Sequence, residues 1–341
     1  TTDGFYKITS IENGLYSGRA GILLFLNYLS KYTTDRNIIE FTEKVKNTTK
    51  DYGIYHHHGV FSGSLGEAYV LLKCNIDDPT YFKKLYSRYS KNSKYSKNNT
   101  CTGIDWLGGG ASLVKLLDNN QNILTSKSLL YEEIAKIITT IKSNLDMFLE
   151  KESSIGMGHG GIGILYAMLI AQNKYGINCE KDIEKILDHT LNQIKDLNYY
   201  KNDYIHSKNH TSWCHGTTGL GIGAVACLKY LNDDRLVHFK ELALRQAIND
   251  SNQNMSLCHG LSGNLDFLIT CSLLSPQDRF TDYINSTSSQ IANYFLEHGQ
   301  ARLQELDDFR DVGLFMGLSG VGYSLLRSIF PEEIPSVLTL D

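Results

Sequence analysis

Residues 212–219 read SWCHGTTG, and residues 257–263 read LCHGLSG. Both hold Cys-His-Gly-x-x-Gly, and both run directly into an apolar stretch. Without Cys and His the frame is Gly-x-x-Gly before a run of hydrophobic residues, and this frame recurs along the whole chain. It appears at Gly18/Gly21, Gly63/Gly66, Gly108 (with Ala111 in the second place), Gly160/Gly163, Gly216/Gly219, Gly260/Gly263 and Gly317/Gly320. The first glycines of the seven copies are 45, 45, 52, 56, 44 and 57 residues apart. A period near 50 residues is the mark of a repeat architecture.

The runs that follow the glycines, such as Ile22–Leu26 and Ile164–Ile170, are apolar nearly all round, as buried helices are. Between them lie amphipathic segments. Ile134, Ile137, Ile138, Ile141, Leu145 and Phe148 fall on one face at helical spacing, with charges opposite. Ile183, Ile186, Leu187, Leu191 and Ile194 repeat the pattern one unit later. Each unit therefore predicts an amphipathic outer helix, a Gly-x-x-Gly turn and a buried inner helix. Seven such pairs can close into a ring with every turn at the same end.

Composition allows one large domain or two ordinary ones, and a single helical domain over residues 1–341 is expected. Hydrophobic residues make up 42%, enough for a large core, and 4 Pro against 29 Gly favour helices joined by glycine turns. The net charge of −4 lacks the basic footprint of a nucleic-acid binder, so no nucleic-acid partner is expected. No run of 18 apolar residues predicts a membrane span. Seven Cys, an odd number spread over 341 residues, suit a reducing compartment better than a stapled secreted domain, so the cytoplasm is expected. The chain opens TTDGFYK, without Met or a signal peptide, and is expected to be cut from something longer.

The residues before the first glycine break the symmetry of the repeat. They are Ser17, Ser62, Leu107, His159, His215, His259 and Met316, and one position earlier stand Tyr16, Phe61, Trp106, Gly158, Cys214, Cys258 and Phe315. The default at the earlier place is aromatic. Only units five and six put Cys there, only units four to six put His at the turn, and unit three adds Asp105. Polar and metal-binding residues thus gather in neighbouring units. Two thiolates and an imidazole suit zinc, and catalytic zinc keeps a fourth position open. Cys74, Cys179, Cys227 and Cys271 read as small core residues. Cys101 lies outside the frame, and the run His56–His58 reads as a solvated loop.

GMGHGGIG (156–163), SWCHGTTG and LCHGLSGN resemble, in order and spacing, the three signature motifs of the lanthionine cyclase (LanC-like) family. The resemblance runs through all seven repeats. It implies an all-α fold, an α/α toroid of seven inner and seven outer helices. It also implies one zinc ion per chain and closure of thioether rings in lanthipeptides. By position, the zinc ligands would be Cys214, Cys258 and His259, the acid/base His would be His159, and the mechanistic Asp would be Asp105. Free-standing cyclases usually carry Tyr where this chain has His215, and tend to carry Arg where it has His210. His after the Cys resembles the C-terminal cyclase domain of class II (LanM-type) synthetases, as does NGLYSGRAGILLFLNYL at 13–29. That implies a linked N-terminal dehydratase domain as one partner and a dehydrated precursor peptide with its leader as the other.

The implied reaction adds a Cys thiol to dehydroalanine or dehydrobutyrine, giving lanthionine or methyllanthionine. The thiol must ionise, which metal coordination achieves, and an acid must then protonate the α-carbon. His159 is the first candidate for that acid and His215 the second, with Asp105 orienting a ring. Two other readings use the same toroid. A non-cyclising relative would bind a thiol such as glutathione at the zinc. A glycosidase would need facing carboxylates, for which Asp105, Glu67 and Asp266 form no evident pair. A purely structural helical scaffold would not need Cys and His in three adjacent units.

Overall fold

The computed structural model describes residues 11, 13–49, 59–63, 65–75, 103–121, 126–151, 154–196, 211–250, 253–274, 280–303 and 311–341. His56–His58, Cys101 and His210 lie outside them. Twelve helices and no strand occur among the described residues. Seven are inner helices: α1 (Arg19–Leu29), α3 (Leu65–Lys73), α4 (Gly110–Asn119), α6 (Gly161–Tyr175), α8 (Thr217–Leu228), α10 (Leu261–Leu274) and α12 (Leu318–Ile329). Five are outer: α2 (Arg36–Thr49), α5 (Lys127–Lys151), α7 (Glu180–Asp196), α9 (Asp234–Ile248) and α11 (Thr281–His298). The fold is the expected α/α toroid, and α12 packs back on α1 to close the ring.

The two helix types carry the two predicted patterns. Every residue of α8 from Thr217 to Cys227 is buried, and so is α6 from Gly161 to Ala171. The outer helix α5 buries Ile134, Ile137, Ile138, Ile141, Leu145 and Phe148 and turns its charges outward. Each such side chain contributes about 1.5–3 kcal/mol when fully buried. Cys74, Cys179, Cys227 and Cys271 are buried in the core, as expected of small apolar residues.

The glycine turns are tight because backbone meets backbone there. At Gly219 a Cβ would lie 1.8 Å from the carbonyl oxygen of Trp213, and at Gly320 1.8 Å from that of Leu314. No side chain fits. The turns are also tied to one another in a belt of main-chain hydrogen bonds. Tyr16 N donates to Phe61 O, Leu107 N to Gly158 O, His159 N to Cys214 O, Trp213 N to Cys258 O, Cys258 N to Phe315 O, and Phe315 N to Tyr16 O, all at 2.7–3.0 Å.

The belt corrects the register of the third unit. Leu107 N pairs with Gly158 O as Tyr16 N does with Phe61 O and Cys258 N with Phe315 O. The helix cap there is Gly109, where Gly160, Gly216 and Gly317 cap the other units, rather than Gly108. Trp106 then matches Met157, Trp213 and Leu314, and Gly108, not Leu107, sits beside the cap. Three successive glycines at 108–110 allow the slip.

The last residues run into the ring. Ile334, Val337, Leu338 and Leu340 are fully buried. Trp106 Nε1 donates to Leu338 O at 3.1 Å, Tyr69 Oη to Asp341 O at 3.2 Å, and Tyr323 Oη to Pro335 O at 2.8 Å. Asp341 also pairs with Lys115 at 3.0 Å and lies 3.6 Å from Lys229. Tyr69, Lys115 and Tyr323 sit on α3, α4 and α12, Lys229 follows α8, and Trp106 lies in the turn before α4, so the segment packs among the inner helices and reaches a turn of the belt.

Candidate metal centre

The turn before α8 and the turn before α10 are adjacent in the belt, which brings Cys214, Cys258 and His259 together. Their ligand atoms lie within 4.8 Å of one another. His259 Nε2 is 3.2 Å from Cys214 Sγ, so that nitrogen faces the sulfurs. Both cysteines are buried, Cys214 at 2% exposure and Cys258 at 0%. Below the turns, Asn264 Nδ2 donates to Asp250 at 2.7 Å and Thr211 Oγ1 to the same carboxylate at 2.8 Å. Thr218 hydrogen-bonds Asn264. This network holds the two motif helices in register.

Two buried sulfurs lie at close range and hydrogen-bond each other. Hydrogen bonds from Cys258, His215 and His259 hold the Cys214 thiol far below the ordinary range. Burial, then the neighbouring Cys214, pushes Cys258 well up. The donor set is soft, and three ligands leave a fourth position open, which matches catalytic zinc better than structural zinc. The residues present therefore fit a zinc ion.

The family resemblance implied that His259, and not His215, joins the sulfurs. His259 lies in the ligand group with the two sulfurs, whereas His215 hydrogen-bonds Cys214 from outside that group. The His215 ring also stacks on His159, centroids 4.6 Å apart and planes 23° apart, and its Nδ1 lies 2.7 Å from Ser154 Oγ. His159 Nδ1 is 2.9 Å from Asp105 Oδ2, and Asp105 Oδ1 accepts from Gly108 N at 2.8 Å. A carboxylate at Nδ1 favours the tautomer with its proton there, which leaves Nε2 on the other side of the ring. All six candidate residues converge on one end of the ring.

Three neighbours escaped the sequence reading. Ser154 backs His215. Met316 Sδ lies 3.1 Å from His259 Nδ1. Tyr16 stacks on Phe315, centroids 4.8 Å apart, and its hydroxyl hydrogen-bonds Cys258. Burial first, and then the Cys258 thiol, pushes the phenol far above its usual range, so it remains a donor. Tyr16 read only as a packing aromatic; its place in the repeat beside Cys214 and Cys258 was the available signal. The carboxylates of the glycosidase reading do not converge. Glu67 and Asp266 are buried in the helical core, where Asp266 pairs with Arg327 at 3.2 Å.

A ring of helix hairpins with two Cys and one His meeting at its turn end defines a helical-toroid protein with a metal-type centre. The model of the lanthionine synthetase C-like protein family matches residues 9–339, and the chain belongs to that family. It is 23% identical to the lacticin 481/lactococcin biosynthesis protein LcnDR2 of Lactococcus lactis subsp. lactis over 94% of its own length. It spans 36% of that relative, about a third. Among solved structures it resembles nisin cyclase, with a TM-score of 0.67, 19% identity, and coverage of 98% of this chain and 93% of the other. No helix among the described residues is long and apolar enough to cross a membrane.

Proposed function

We propose that this protein is a zinc-dependent lanthipeptide cyclase domain. It adds peptide Cys thiols to dehydroalanine or dehydrobutyrine. The observation that carries the reading is the meeting of Cys214, Cys258 and His259 within 4.8 Å, beside the Asp105-backed His159. Cys214, Cys258 and His259 would hold the ion. Bound zinc supplies a Lewis-acidic point at which a thiol loses its proton near neutral pH.

The chain's own groups account for the proton. Addition of sulfur to the β-carbon moves the π electrons toward the α-carbon and its carbonyl. The α-carbon must then gain a proton, so the product is an isomer of the reactants. His159 delivers that proton from Nε2 while Asp105 holds Nδ1 and steadies the charged ring. His215, stacked on His159 and held by Ser154, lies close enough to serve as the alternative donor. The buried turns keep bulk water off the sulfurs.

The length of LcnDR2 and His215 after the first Cys support placing the chain at the end of a longer, class II type synthetase in the cytoplasm. Its partners are then a dehydrated, leader-bearing precursor and a linked dehydratase domain. The test is incubation with a dehydrated, Cys-containing precursor, with free thiols counted by alkylation and mass spectrometry. Thiols should disappear faster than in the uncatalysed control, without a change in peptide mass. Thiol binding without ring formation would favour the glutathione-type reading instead.

A further inference from the structure

We propose that the first and seventh repeats complete the metal centre, with Tyr16 and Met316 acting as positioning residues for Cys258 and His259. The inference rests on the metal reading above and extends it to units that carry none of the three motifs.

His259 presents Nε2 to the sulfurs, which leaves Nδ1 at its back, 3.1 Å from Met316 Sδ. A metal-bound imidazole generally donates its rear N–H to a carboxylate or carbonyl, which fixes the ring and raises its basicity. A thioether is a weak acceptor. It fixes the ring without making it a strong donor. His159, at the same place in its own unit, has a carboxylate behind it. The two imidazoles are thus backed differently: the proton carrier by Asp105, the ligand by Met316.

Tyr16 does the corresponding work for Cys258. Its hydroxyl donates to the Cys258 sulfur. The donor is held in place on every side. Tyr16 N donates to Phe61 O and Phe315 N to Tyr16 O, both at 2.9 Å. Its ring lies nearly flat on Phe315, at 9°. Cys258 N donates to the same Phe315 at 2.9 Å. The join between the last repeat and the first is therefore also the wall of the centre. A hydrogen bond to a thiolate drains its charge, so Tyr16 fixes and tempers the Cys258 sulfur.

The experiment uses the whole chain, stripped of metal and reloaded with Zn²⁺ or Co²⁺ against a competing chelator. Tyr16→Phe keeps the stack on Phe315 and removes only the donor. It should keep the helical circular dichroism and lose about tenfold in metal affinity. In the cobalt form its sulfur-to-metal charge-transfer band should move to longer wavelength, because the undrained thiolate gives up charge more easily. Met316→Leu should also weaken binding, and Met316→Gln, which offers an amide oxygen to Nδ1–H, should restore it. Wild-type affinity and an unmoved band in Tyr16→Phe, with Met316→Leu and Met316→Gln alike, would overturn the inference and leave the centre standing. A wild-type chain that takes up no stoichiometric metal would overturn the centre and this inference together.

Discussion

Around one side of the ring the residue beside the capping glycine is Ser17, Ser62, Gly108 or Met316; around the other it is His159, His215 or His259. The backbone does the same thing on both sides. The glycine at 320 is as tight against Leu314 as the glycine at 219 is against Trp213. Main-chain hydrogen bonds link turns on both sides. One frame thus carries two contents. Glycine packing builds the turn wherever it occurs, and what stands beside the cap is chemically open.

The comparison breaks first if the frame matters more on one side than on the other. Gly219→Ala and Gly320→Ala each force a Cβ onto a carbonyl oxygen, and both should cost about 3 kcal/mol or more. Urea titration of the two variants checks this, and a large loss in only one would show that the frame is not shared. Next come the ligands. Replacing Cys214 and Cys258 together by Ala should abolish stoichiometric zinc while the helical signal remains, since the two thiols are small buried groups. Metal analysis that still finds one zinc per chain would remove the centre from this side of the ring.

His159→Ala should keep metal and fold but slow ring formation by roughly 10²-fold, as for other acid–base groups. Asp105→Asn, which leaves His159 without a charged backer, should slow it less. Thiol consumption over time separates the two from wild type, and an unaffected His159→Ala would transfer the acid role to His215. The smallest effect is expected across the ring. Ser62→Ala alters an exposed hydroxyl in the same frame, and should shift stability by less than about 0.5 kcal/mol and leave the rate alone. A marked loss of rate there would mean that the substrate reaches that side.

Most of the frame was legible because glycine is nearly irreplaceable where backbone touches backbone, so its period survives in the sequence. The inner helices were legible from their unbroken apolar runs, and α5 from its single apolar face. The site was legible where a residue departs from its own repeat, as Cys214 and His159 do. Tyr16 and Met316 were not. They are ordinary packing residues by type, and only the closing of the ring sets them against Cys258 and His259. Unit three was misread by one residue because Gly108, Gly109 and Gly110 offer the pattern twice, and the cap at Gly109 with the pairing of Leu107 and Gly158 decides between them. The residues after α12 have no period at all, and their burial follows from the shape of the space they enter.

That last segment makes the toroid a cup with a floor rather than a tube. Leu338 and Leu340 are fully buried, and Leu338 is tied by its carbonyl to Trp106 in the turn before α4. On the proposed cyclase reading, a peptide worked on at the rim would arrive and depart by the same door. A substrate with several reactive pairs would be dipped in, lifted and turned for each one, so the order of its modifications would be set by how it is presented from above and not by its passage along a channel.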